Sequence, residues 1–246
     1  FLESVLAPKA DLWPRWQAFN PVSREAIDHR PWDRFLKTYV KKDSNGVNRV
    51  AYGRLGEGGK AALADYLDRM AKTPISLYGR PVQKAFWINL YNALTVRLII
   101  DSYPITSIQD LDSPWYKKVI EVEGVALTLN DIEHRILRPI WRDARVHYAV
   151  NCASIGCPNL IPVAFTGGNI SQLLELAAYS YINHPRGVRI KEGNLIVSKI
   201  YAWFSEDFGG TQESVIAHLR EYAKPGLLDA LRGRNAIDDY EYDWGL

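Results

Sequence analysis

The chain has 246 residues, enough to bury a full hydrophobic core. Its 47% hydrophobic and 24% charged residues are ordinary globular values and exclude a disordered or fibrous chain. With 30 Lys and Arg against 28 Asp and Glu, and no basic run longer than Lys41-Lys42 or Lys117-Lys118, the one-sided field that holds nucleic acid is absent.

The opening residues space Pro8, Pro14 and Pro21 among Trp13, Trp16 and Phe19, which predicts an irregular arm over 1–30 laid on a single-domain body over 31–246. The sequence starts at Phe1 and its only methionine is Met70, as expected if a signal peptide has been cleaved or the sequence trimmed. Trp32, Phe35, Leu36, Tyr39 and Val40 fall at helical spacing, so a helix is expected over 32–40, broken at Asp43-Ser44-Asn45-Gly46 and followed by a short strand over 48–54. Gly56, Gly58 and Gly59 match no phosphate-binding fingerprint. Leu63, Tyr66, Leu67 and Met70 mark an amphipathic helix over 57–71.

Pro81 suits the first turn of the next helix, expected over 84–101 and apolar on nearly every side. Asn89, Asn92, Thr95 and Arg97 interrupt its apolar run, which falls short of the roughly 20 residues that span a bilayer. It reads as a buried central helix, with no integral membrane segment. Asn89 and Asn92 share one of its faces, where buried amides either tie a neighbouring loop or line a pocket.

Residues 117–129 alternate and turn at Glu123-Gly124, which predicts a hairpin. Asn130, with Glu133 three positions on, resembles a capping arrangement opening a helix to Trp141. Residues 145–151 alternate, predicting a strand with Val146, Tyr148 and Val150 on one face and His147, Ala149 and Asn151 on the other. A loop over 152–168, a helix over 170–183 and a second hairpin over 188–197 follow. Short helices around 201–204, 214–222 and 227–231 lead to an aromatic end, Tyr240, Tyr242 and Trp244. Helices and hairpins without regular βαβ alternation argue for an α+β fold: a central buried helix packed by surrounding helices and a small, mainly antiparallel sheet.

The most chemically loaded stretch is 147–158, where Cys152 and Cys157 bracket Ala153-Ser154-Ile155-Gly156 just after His147. A cysteine nucleophile needs a base or cation to hold it as thiolate, and histidine is the usual supplier. An extended step from His147 to Cys152 spans about 16 Å at roughly 3.3 Å per residue, so contact requires a sharp bend near Asn151. Either sulfur could be the reactive one, and a Cys152–Cys157 disulfide closing a small loop is the structural alternative. Glu133 is either a helix cap or the acid that orients His147. His134 beside it reads as a solvated side chain or a pocket residue, and Trp115 and Asp207 as framework or cleft wall. A zinc site from His134, His147, Cys152 and Cys157 matches neither Cys-x2-Cys nor His-x3-His spacing, so no metal or other cofactor is expected.

Three segments carry a family resemblance: Ala85-Phe86-Trp87-Ile88-Asn89-Leu90-Tyr91-Asn92-Ala93, Leu129-Asn130-Asp131-Ile132-Glu133-His134, and the run from Val146 through Asn151-Cys152-Ala153-Ser154-Ile155-Gly156-Cys157-Pro158. Later matches are Ser198-Lys199-Ile200 with Trp203, Asp207-Phe208-Gly209 and Tyr242-Asp243-Trp244. By these the chain resembles the uncharacterised DUF547 family in its exported bacterial form, which implies a periplasmic or secreted protein. The family is loosely similar to papain-like and transglutaminase-like cysteine enzymes. Asn89 and Asn92 stand on the central helix where such enzymes carry the cysteine, so an active thiol would come from the loop.

Two functions are expected to compete. One is a cell-envelope cysteine hydrolase or acyltransferase acting on peptide or isopeptide bonds, with Cys152 as nucleophile, His147 as base and Glu133 as orienter. The other is a non-enzymatic envelope module whose disulfide-pinned loop helps bind a peptide, cell-wall or glycan ligand. Asn89, Asn92, His134, Asn151, Ser154 and Cys157 would support the loop or pocket in either case. No oligomeric state follows from the sequence.

Overall fold

Residues 7–246 are described by a computed structural model; positions 1–6 of the expected arm lie outside the described residues. The described part of the arm runs without regular structure apart from a 3-10 turn, Pro14–Gln17, which buries Trp16 edge-on against Trp87 with ring centroids 5.1 Å apart. Upstream, the N–H groups of Asp11 and Trp13 donate to the carbonyls of His134 and Arg135 at 2.9 and 3.0 Å. This pairing holds the arm beside the segment that carries the functional side chains.

Helix α1 (Arg30–Tyr39) opens with Pro31, whose missing N–H would have been unpaired in the first turn anyway. It runs into β1 (Val40–Lys42), which pairs antiparallel with β2 (Asn48–Val50). The strand expected over 48–54 stops early and gives way to a 3-10 turn, Tyr52–Arg54. Helix α2 (Glu57–Ala71) buries the expected Leu63, Tyr66, Leu67 and Met70.

Helix α3 (Arg80–Ser102) is the axis of the fold, and every residue from Gln83 to Val96 is buried. Phe86, Trp87, Ile88, Leu90 and Leu94 lie within it, each worth about 1.5–3 kcal/mol when removed from water. Its buried polar groups are matched. The Gln83 amide donates to the carbonyls of Ala18 and Ile75, both at 2.9 Å, and Lys84 Nζ meets Asp143 Oδ2 at 2.6 Å.

β3 (Ile120–Val122) and β4 (Val125–Leu127) form the expected hairpin, with Glu123 and Gly124 both at positive φ (47° and 75°), the conformation that matches strand twist. A π-helical segment, Asp131–Leu137, then continues as α4 (Arg138–Trp141). Its cap is not Asn130, which has helical backbone angles and makes no side-chain cap. Thr128 and Asp131 bond reciprocally instead: Asp131 Oδ2 accepts from the Thr128 N–H at 2.9 Å, and Thr128 Oγ accepts from the Asp131 N–H at 3.0 Å. A Thr-x-x-Asp pair offers the same exchange as a Ser/Thr-x-x-Glu box. Glu133 is thereby released from capping.

The strand expected over 145–151 is absent. Ala144–Tyr148 forms a 3-10 turn started by Asp143, whose carboxylate accepts the Arg145 N–H at 3.0 Å. Val146 through Val150 are all buried, so the alternation of the sequence does not separate a dry face from a wet one. Tertiary burial overrides the local β preference here.

Helix α5 (Ile170–Ile182) precedes a hairpin of β5 (Val188–Lys191) and β6 (Asn194–Ser198). Short helices α6 (Ile200–Trp203), α7 (Gln212–Tyr222) and α8 (Pro225–Leu231) follow. β7 (Asp239–Glu241), which sequence pattern did not mark, pairs parallel with β6 and brings the terminal aromatics back to the 152–158 loop. The result is an α+β fold with mostly antiparallel strands, divided among the described residues into three small sheets rather than one. Among the described residues no helix is long and apolar enough to cross a membrane.

Candidate functional site

A cleft of about 450 Å³ opens between the π-helical segment, the cysteine loop and the terminal strand. Tyr91, Trp115, Trp203, Phe204, Tyr242 and Trp244 supply its walls; Glu133, His134, His147, Cys152 and Cys157 line it too. Trp203, Tyr242 and Trp244 pack as one aromatic wall, with centroids 4.8 to 5.6 Å apart, and Trp115 meets Trp244 at 5.9 Å. Two larger hollows, about 530 and 590 Å³, gather no carboxylate side chain with histidines.

The polar floor is set by the π-helical segment. The Arg138 N–H donates to the Glu133 carbonyl, one residue further back than in an α-helix. Such π-turns recur at functional sites because they re-aim side chains. Here Ile132, Ile136 and Leu137 enter the core, while Glu133 and His134 line the cleft. Arg138 is buried behind them. Its guanidinium donates to Asp207 Oδ2 at 2.5 Å, to the Pro8 carbonyl at 2.7 Å and to His134 Nδ1 at 3.1 Å. Because an arginine only donates, His134 Nδ1 accepts and its proton sits on Nε2. Burial pushes the His134 pKa down to about 4, which Glu133 opposes and Arg138 reinforces.

His147 packs its ring flat on Phe204, with centroids 4.4 Å apart and planes at 10°. Its Nε2 lies 2.6 Å from Asp207 Oδ2. Burial acts to raise the Asp207 carboxyl, but hydrogen bonds from His147 and Arg138 outweigh it and hold the pKa at about 2. The ionised carboxylate accepts, so Nε2 carries the proton. His147 Nδ1 is buried without a partner, 3.9 Å from Glu133 Oε1. Glu133 Oε2 stands 3.9 Å from His134 Nε2, also beyond hydrogen-bond distance. The buried Tyr91 hydroxyl is held protonated by desolvation and by the neighbouring Glu133 carboxylate.

After Asn151 the chain turns sharply, with Ala153 in the left-handed region at φ 55°. Cys152 and Cys157 come to a Cα separation of 6.3 Å with their sulfurs paired at disulfide distance. The Cys152 N–H donates to Cys157 Sγ at 3.0 Å. The Tyr242 hydroxyl lies 3.1 Å from Cys152 Sγ, 3.2 Å from Cys157 Sγ and 2.9 Å from Ser154 Oγ. Gly156 admits the returning C-terminal segment: a Cβ there would lie 2.8 Å from the Asp243 nitrogen.

The structure therefore gathers Glu133, His134, His147, Cys152 and Cys157 around one cleft, but not as a Cys-His-acid chain. Neither His147 nitrogen bonds a sulfur, and its acid partner is Asp207, not Glu133. Asn89 and Asn92 stand behind the cleft as loop ties. Asn89 exchanges two bonds with the Phe165 backbone at 2.7 and 3.0 Å; Asn92 accepts from the Asn151 N–H at 2.8 Å and donates to the Ala149 carbonyl at 2.9 Å. The Asn151 side chain closes the loop through the Pro158 carbonyl and Ala153 N–H, at 2.7 and 2.8 Å. Sequence reasoning missed Arg138, whose one signal was its i+4 spacing from His134. It read Asp207 only as framework or wall, since 60 residues separate it from His147. Among the described residues no cluster of three or more His, Cys, Asp or Glu is placed to hold a metal.

No curated protein and no solved structure matches the chain. A family model does match, over residues 75–182, which include α3, Glu133, His134, His147 and both cysteines; its description is "Protein of unknown function, DUF547". That segment is similar to the DUF547 family, and it contributes the floor and the cysteine loop of the cleft, while Trp203, Phe204, Tyr242 and Trp244 lie beyond it.

Proposed function

We infer that the chain is a non-enzymatic binding module of the cell envelope, periplasmic or secreted, whose aromatic cleft takes a peptide, cell-wall or glycan ligand. The observation that carries this reading is the state of the cysteines. Their sulfurs face each other and Tyr242 in the cleft wall, and His147 is turned to Asp207. A sulfur paired in this way is not a thiolate nucleophile. It pins the loop that presents the wall, and such pairs persist in oxidising compartments. A concave, largely aromatic surface with a few convergent polar groups is the usual form of a ligand site.

One observation favours a second reading, a cysteine hydrolase or acyltransferase: Cys152, His147 and Glu133 line the same cleft. Thiol alkylation of the native protein, with and without prior reduction, separates the two. The binding module gives no labelling before reduction, and His147→Ala leaves labelling after reduction unchanged. Stoichiometric labelling of one thiol in the untreated protein, suppressed by His147→Ala, overturns it in favour of the enzyme.

A further inference from the structure

We propose that the floor of the cleft is a receptor for a primary ammonium group, such as a free amino terminus or an amino-bearing side chain of a peptide or cell-wall fragment. This deepens the binding-module reading and rests on it.

The argument begins with what the floor lacks. Glu133 is the one Asp or Glu lining the cleft among its described residues, and no Lys or Arg lines it. The nearby guanidinium of Arg138 is committed to Asp207, Pro8 and His134. His147 is committed to Asp207 through Nε2, and its Nδ1 is buried without a partner. The Glu133 carboxylate, which has the Tyr91 hydroxyl beside it, and His147 Nδ1, which has no partner, thus stand 3.9 Å apart. A buried polar atom left like Nδ1 marks a place where a partner is missing.

The partner's chemistry follows from the spacing. A donor about 2.8 Å from both atoms can bond both only if it carries two hydrogens at a wide angle, as an amine nitrogen does. A hydroxyl has one hydrogen and satisfies one acceptor. A neutral amide meets the count but leaves the Glu133 charge unbalanced. The walls decide for a cation, because Trp115, Trp203, Tyr242 and Trp244 present ring faces and edges around the same space. Cation–π attraction strengthens as such a group is desolvated among aromatic rings.

The test is a titration of the intact protein at pH 7.5 with benzylamine, benzyl alcohol and benzyltrimethylammonium, read by the indole resonances of Trp115, Trp203 and Trp244. Benzylammonium is expected to bind saturably and at least about tenfold more tightly than the alcohol, and Glu133→Gln to erase that preference, equivalent to about 1.4 kcal/mol. Equal binding of benzyltrimethylammonium, which has the charge but no N–H, overturns the role of the two acceptors. Equal binding of the alcohol overturns the ammonium proposal while leaving a binding cleft in place. Saturable binding of none of the three overturns the proposal and the binding-cleft reading together. The wild-type series alone decides between these outcomes if the variant fails to fold.

Discussion

Two groups of charges adjoin the central helix α3, one half-buried around a buried Lys84 and one buried, and they are built on opposite rules. In the first, Lys84 meets Asp143 at 2.6 Å while Arg145 closes on the same carboxylate at 2.8 and 2.9 Å, so every charge has a partner at hydrogen-bond distance. In the second, Glu133 has the Tyr91 hydroxyl as its hydrogen-bonding neighbour but no cation at that distance, since His134 and His147 both stand at 3.9 Å, and His147 Nδ1 has no partner. The first arrangement is what burial of ions demands if they serve stability alone. The second lacks a close cation at the floor of a cleft, where a ligand can complete it. Buried charge by itself therefore does not mark function; the mismatch does.

The largest expected effect breaks the matched cluster. Asp143→Asn removes the anion between two cations and is expected to cost about 3–5 kcal/mol, measured by urea denaturation at neutral pH. A loss under about 1 kcal/mol would put the two clusters on the same footing.

Acidification acts on the second cluster through His134, which the fold keeps neutral. Its pKa is about 4 when folded against an ordinary 6.5, so between these values the unfolded chain binds a proton that the folded chain does not. Stability is then present above about pH 6.5 and lost as pH falls toward 4, by about 2–3 kcal/mol for this residue. Denaturation profiles of the wild type and His134→Gln are expected to diverge across that window. Parallel profiles would mean that His134 becomes charged in the fold and supplies Glu133 with a cation after all.

A smaller effect is expected from the cysteine pair. Opening the short Cys152–Cys157 loop by Cys152→Ala with Cys157→Ala releases a constraint worth about 2 kcal/mol on the chain-entropy account. The Asn92 tie to Ala149 and Asn151 stays intact. The cleft should therefore keep its indole spectrum in the double variant; a collapsed spectrum would make the sulfur pair, rather than the asparagine tie, what shapes the wall.

The contrast between the clusters also sets how much the sequence discloses. Helix α3 was legible because its apolar pattern is continuous, and the hairpins because Glu123-Gly124 and Glu192-Gly193 are turn-forming pairs at the ends of alternating runs. The cysteine loop stood out because reactive residue types crowd a short stretch, and both its cysteines line the cleft. What could not be read were relations across the chain. Asp207 reaches His147 over 60 residues, and Tyr242 reaches the sulfurs over 85 or more. The strand expected at 145–151 failed for the same reason: its alternation is genuine, but tertiary packing buries both sides. Of the two readings of Glu133, the cap rested on Asn130, a good capping residue, whereas Thr128 with Asp131 forms the closed pair.

The most direct measurement of the central claim is the unfolding free energy of Glu133→Gln beside that of Asp143→Asn under one set of conditions. If Glu133 is an unmatched carboxylate held for a ligand, its neutral isostere costs less than about 1 kcal/mol or stabilises the fold, while Asp143→Asn costs several times more. A loss at Glu133 as large as that at Asp143 would contradict the account, because it would make Glu133 a paired structural charge.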